Sequence, residues 1–127
     1  MALINEKSVD FNGQEVECAQ LNIGPSGTVT QITNRTTGVT VNTTSGRITT
    51  DTTSLAAAAE ATFTVTNSTV SATSVPVVAI ASAATGTTQV FVSAVAAGSF
   101  DITVANLHAS TAETGALVIN FVVINGV

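Results

Sequence analysis

The chain has 127 residues, 45% of them hydrophobic and 9% charged, with a formal net charge of −5. That length fits one domain with a core of its own, and the hydrophobic content excludes a disordered chain. Only Lys7, Arg35 and Arg47 are basic, so there is no cationic patch to neutralise phosphates, and nucleic acid is excluded as an expected partner.

The core has few large pieces to work with. There are five Phe, no Trp and no Tyr, so Val, Ile, Leu, Ala and Thr methyl groups must fill it. Small β-branched residues suit the interior of a thin sandwich. A charged fraction of 9%, against roughly 25% in an ordinary domain, leaves a surface poorly protected against self-association, and partner subunits are expected to cover much of it. The single cysteine, Cys18, excludes an intrachain disulfide and reads as a small hydrophobe. The N-terminal MALINEKSVDF lacks a signal-like apolar run, and the apolar stretch over residues 75–84 is about half of what a bilayer requires. The expectation is a soluble protein made in the cytoplasm of the producing cell.

Residues 1–26 differ from the rest. They hold Glu6, Asp10, Glu15 and Glu17, and Asn12-Gly13 is a turn signal between two short alternating runs. This is either an edge hairpin of the main domain or an arm that docks on a partner. Gly24-Pro25-Ser26-Gly27 marks a joint, which divides the chain into residues 1–26 and a domain over 27–127.

From there the punctuation becomes regular. Strands are expected over residues 28–33, 38–42 and 47–50, the second with Val39 and Val41 on one face. Residues 51–59 include Ser54-Leu55-Ala56-Ala57-Ala58-Ala59, good helix formers in a segment too short to be stable alone, and read as a loop with at most one helical turn. Residues 61–67 alternate, with Phe63 and Val65 on one face and Thr62, Thr64 and Thr66 on the other. A strand over 75–82 carries Pro76, which places its start at a sheet edge or bulge. Residues 89–97 and 100–107 form a hairpin about Gly98-Ser99, with Phe100, Ile102 and Val104 sharing a face.

The stretch TQVFVSAVAAGSFDITVANLHASTAETGALVINFVVI over residues 88–124 anchors this pattern. In its last strand, 116–124, Leu117, Ile119, Phe121 and Val123 make one face, and Val118, Asn120 and Val122 the other. A strand apolar on both faces needs two covers. One is the core. The other is expected to be a neighbouring subunit contacting Val118, Asn120 and Val122. Eight short, evenly spaced strands predict an all-β fold: one β-sandwich or jelly-roll-like domain, with an N-terminal hairpin or arm.

Motifs for chemistry are weak. His108 has no second His or nearby Cys, which argues against a metal site. A triad assembled from His108, Asp101 and any serine is an inventory, not a geometry. Glu15 and Glu17 share a strand face, but no Trp or Tyr is present to stack a sugar. No cofactor is expected. Three Asn-X-Ser/Thr sites, at Asn34, Asn42 and Asn67, read as polar loop residues, and the Thr62-Thr64-Thr66 face as an ordinary solvated strand rather than an ice-binding array.

The sequence from Gly38 onward resembles small virion structural proteins of tailed bacteriophages, marine ones especially. The residues that carry this are Val39-Thr40-Val41-Asn42, Ser45-Gly46-Arg47-Ile48-Thr49, Ser54-Leu55-Ala56-Ala57, and Ala61-Thr62-Phe63-Thr64-Val65-Thr66-Asn67-Ser68. Val95-Ala96-Ala97-Gly98-Ser99-Phe100 and Ile119-Asn120-Phe121-Val122-Val123-Ile124 complete the set. The resemblance covers about two thirds of the chain, rests on structural motifs, and leaves residues 1–26 outside. It implies a non-enzymatic β-sandwich that decorates or cements the capsid, usually as a homotrimer, with the major capsid protein as partner. The location would then be the virion surface. The acidic Glu6, Asp10, Glu15 and Glu17 are the candidate anchor to basic groups on the shell. The alternative is a tail or head fibre module that recognises a host surface. Loops 68–74 and 108–115 contain no Phe, which disfavours adhesion.

Overall fold

The computed structural model describes Gly13, Gln20, residues 23–82 and residues 87–125. Among these residues are eight strands and no helix: β1 (Ser26–Thr30), β2 (Val39–Thr40), β3 (Ser45–Thr49), β4 (Glu60–Thr66), β5 (Val75–Ser82), β6 (Thr88–Ala96), β7 (Ser99–Asn106) and β8 (Val118–Ile124). They form two four-stranded sheets, β1-β3-β8-β5 (sheet A) and β2-β4-β7-β6 (sheet B). The chain is an all-β sandwich.

Alternation sets which face goes in. Along β4, Ala61, Phe63 and Val65 are buried, while Glu60, Thr62, Thr64 and Thr66 face solvent. In β7, Phe100, Ile102 and Val104 meet them from the neighbouring strand. Sheet A supplies Ile48, Ile119, Phe121 and Val123 from the opposite side, and Leu117 closes one end of this core. Phe100 of sheet B and Phe121 of sheet A lie with ring centroids 5.9 Å apart, so the largest rings bridge the two layers. In β6 the apolar spacing runs Val90, Val92, Val95, out of step by one residue. A bulge between Val92 and Ala94 absorbs the extra residue and keeps all three against the core.

Among themselves, strands β3 to β8 pair only antiparallel. β8 lies between β3 and β5, and β7 between β4 and β6. This is a hairpin folded across two layers, a jelly-roll-like winding. β1 and β2 are added outside it, each parallel to its neighbour: β1 on β3 and β2 on β4. Parallel neighbours need a crossover, and residues 31–44 supply it by passing through β2 in the other sheet. Pro76 sits near the start of β5, an edge strand, where its missing N–H costs no ladder bond.

Residues 51–59 are a loop. Leu55 bridges Glu113, and the alanines close a reverse turn in which the Ala59 amide donates to the Ala56 carbonyl at 3.2 Å. Ala58 takes φ 56° there, a left-handed conformation that costs an L-residue roughly 1–2 kcal/mol. Its methyl group is exposed, so little packing is lost without it. Ala58→Gly is therefore expected to raise stability by about 0.5–1 kcal/mol after glycine's greater chain entropy is counted. Urea unfolding, with an unchanged slope and a higher midpoint, checks this.

Candidate interaction face

The two outward faces of the sandwich are unlike each other. On sheet A, β5 and β8 present an apolar stripe. The pairing places Val75 opposite Ile124 and Val77 opposite Val122, with Ala79 opposite Asn120. Val75, Val77 and Ile124 remain 56%, 47% and 52% exposed. Val118 and Val122 are half-buried by their neighbours, and Asn120 is exposed. The three contact residues predicted from sequence thus lie together on this face. β5 supplies the other half of the stripe, which periodicity alone does not reveal, although Val75 and Val77 flank Pro76 in one short run.

Arg47 stands beside the stripe, paired in register with Asn120. It is exposed, and its side chain has no hydrogen-bond or ion-pair partner among the described residues. An open groove of about 360 Å³ runs past it, walled by Ser26, Thr28, Ser45 and Asn120. Gly46 and the Phe121 ring complete its lining.

Sheet B turns a hydroxyl surface outward. Thr62 and Thr103 share a hydrogen bond of 2.8 Å, Thr103 donates to Ser93 Oγ at 3.0 Å, and Thr64 donates to Asp101 Oδ1 at 2.7 Å. Glu60 lies at one end of this face and Phe91 toward its side.

One end of the sandwich is closed by buried polar groups. Arg35 is 3% exposed. Its Nε donates to the Thr53 carbonyl at 2.5 Å, Nη1 to Thr50 Oγ1 at 3.2 Å, and Nη2 to the Gly115 and Glu113 carbonyls at 2.7 and 3.4 Å. Burial pulls the guanidinium below its ordinary pKa, and the Glu113 and Asp51 carboxylates oppose that shift. The buried Glu113 accepts from the Thr88 hydroxyl at 2.7 Å and from the Gly115 amide at 3.1 Å. Asn106 donates to the Leu55, Ala56 and Thr111 carbonyls, and Gln31 to those of Arg35 and Thr37. Nearby, the hydroxyl and amide of Thr53 hold the Asp51 carboxyl below its usual range, with the hydroxyl the larger cause. Among the described residues no buried side-chain polar atom lacks a partner. The network ties loops to one another.

Chemistry-bearing residues are dispersed. Asp101 bonds Thr64 in mid-sheet, whereas His108 Nδ1 accepts from the Ser110 and Thr111 amides in the loop after β7. No group of three or more His, Cys, Asp or Glu among the described residues is placed to hold a metal ion. No helix among them is long and apolar enough to cross a membrane. Two of the Asn-X-Ser/Thr sites are local turns, in which Asn34 Oδ1 accepts from Thr36 and Thr37 and the fully buried Asn67 from Thr69, whereas Asn42 Oδ1 accepts from the distant Ser68 amide. Cys18 and the candidate anchor residues Glu6, Asp10, Glu15 and Glu17 lie outside the described residues. No protein-family model, curated protein or solved structure matches the chain.

Proposed function

We propose that this chain is a non-enzymatic structural protein of a tailed-phage virion, a homotrimeric decoration or cement protein that binds the assembled capsid shell. The observation that carries the reading is the asymmetry of the two outward faces: one apolar with a free cation, the other polar and solvated. Such a sandwich is built to sit between neighbours rather than to transform a substrate. The sequence resemblance from Gly38 onward supports the same reading, as does the buried network at one end, which suits a rigid cover. Binding only the assembled state stabilises that state by linkage. An oligomer touching several shell subunits adds effective concentration, so weak single contacts suffice.

A fibre module recognising a host surface is the second reading. It is favoured by Ile32 and Leu107, exposed apolar side chains on loops at the end closed by Arg35. The test adds purified protein, and a form lacking residues 1–26, to capsids devoid of it. Decoration requires full-length protein at regular lattice positions and a higher capsid melting temperature, with binding weakened by the truncation if the acidic segment is the anchor. Localisation to the tail alone would replace decoration with the fibre reading.

A further inference from the structure

We propose that the outward face of sheet A packs on the outward face of sheet B of a second copy of this chain, with Arg47 of one copy against Asp101 of the next. The inference rests on the reading that the chain assembles with itself, and is independent of where the assembly binds.

Charge identifies the occupant. Among the described residues Arg47 is the only exposed basic side chain, because Arg35 is buried. It stands on sheet A next to the Val75, Val77, Val122 and Ile124 stripe. Glu113 is buried, leaving Asp51, Glu60 and Asp101 as the described carboxylates within reach of a partner, and two of these three, Glu60 and Asp101, stand on the outward face of sheet B. Asp101 engages one oxygen with Thr64, and the other is available to an incoming guanidinium. The threonine methyls of β4 and the Phe91 ring offer apolar area opposite the stripe. Two sheet faces of this kind stack in the manner of sandwich layers. Arginine is a residue type that interfaces favour, and here it stands at the margin of the apolar stripe, where a carboxylate partner would fix the register.

The contact joins two different surfaces of the same chain, so it is heterologous: each copy uses face A toward one neighbour and face B toward the other. Such contacts close into rings or run on as filaments, and because the two faces lie on opposite sides of one sandwich, their stacking favours an open run of copies over a small ring.

Sedimentation and light scattering of full-length protein test this, with circular dichroism to verify folding of each variant. Wild type is expected to assemble into species of two and more copies whose mean size grows with concentration. Arg47→Asp and Asp101→Arg should each weaken association by about tenfold or more, and the double variant should restore it to within a few-fold. Val77→Asp, at an exposed position, should also weaken assembly. A monomeric wild type at micromolar concentration overturns the inference, yet capsid binding by that monomer would leave decoration standing. Assembly that Arg47→Asp weakens but Asp101→Arg does not would show face A meeting another surface, such as face A of its twin, and likewise overturns it.

Discussion

Arg35→Ala is expected to cost about 3–5 kcal/mol, the range for removing one member of a buried, compensated set of charges. The side chain donates to three backbone carbonyls and the Thr50 hydroxyl. Truncation strips those acceptors of their donor, those at Thr50 and Glu113 in fully buried bonds, and leaves Glu113 without the buried cation that offsets its charge. A domain whose total stability is about 5–15 kcal/mol is brought close to unfolding by such a loss. Arg35→Lys should recover only a small part, since one ammonium cannot reproduce the planar fork that reaches Thr53, Thr50 and Gly115 together. Arg35→Ala combined with Glu113→Gln should cost less than the sum of the two, because the second change removes the stranded charge. Denaturant titration of the four proteins measures all of this. A loss below about 1 kcal/mol for Arg35→Ala would mean that the network does not hold the loops together.

Gly46→Ala is expected to cost about 2–3 kcal/mol, which lowers the melting temperature of a domain this size by roughly 10 °C. A Cβ at position 46 would collide with the Gly27 carbonyl oxygen and stand 2.8 Å from Cε1 of Phe121. The ring has some freedom to shift. The carbonyl belongs to β1, which pairs with β3 residue for residue, so relief requires β1 to move off the sheet. Phe121 is the cross-strand partner of Gly46 and fills the space a side chain would occupy, the usual compensation for a strand glycine. Differential scanning calorimetry reads the shift, and an unchanged melting temperature would show that β1 yields without cost.

Both sites show where the sequence stops speaking. Eight strands, and the inward sets Phe63 with Val65, Phe100 with Ile102 and Val104, and Leu117 through Val123, follow from alternation alone, because burial on one face imposes period two. The outward placement of Val118, Asn120 and Val122 follows from the same rule. Partners do not. Nothing in Ser26–Thr30 says that it pairs parallel to β3, or in Val75–Ser82 that it joins β8, since pairing is decided by the whole winding. The buried polar residues are equally hidden. Gln31, Arg35, Asn106 and Glu113 stand in or beside loop-like sequence, and a polar residue there reads as solvated until its carbonyl partners are known. Arg35 gives one hint, as one of three basic residues in a chain with 9% charge. The helix propensity of residues 54–59 is overridden because the bridge to Glu113 ties down Leu55 and the alanines after it close a reverse turn.

The ring pair between the sheets also decides how this protein presents itself to light. With no Trp and no Tyr among its residues, its near-ultraviolet spectrum belongs to phenylalanine alone. Phe100 and Phe121 meet across the interior at 53°, and they are held there only while the two layers are closed. Their dichroic fine structure is thus an intrinsic optical gauge of layer closure, unmasked by stronger chromophores. A state that keeps its far-ultraviolet β signal and loses this band has its sheets formed and its layers apart.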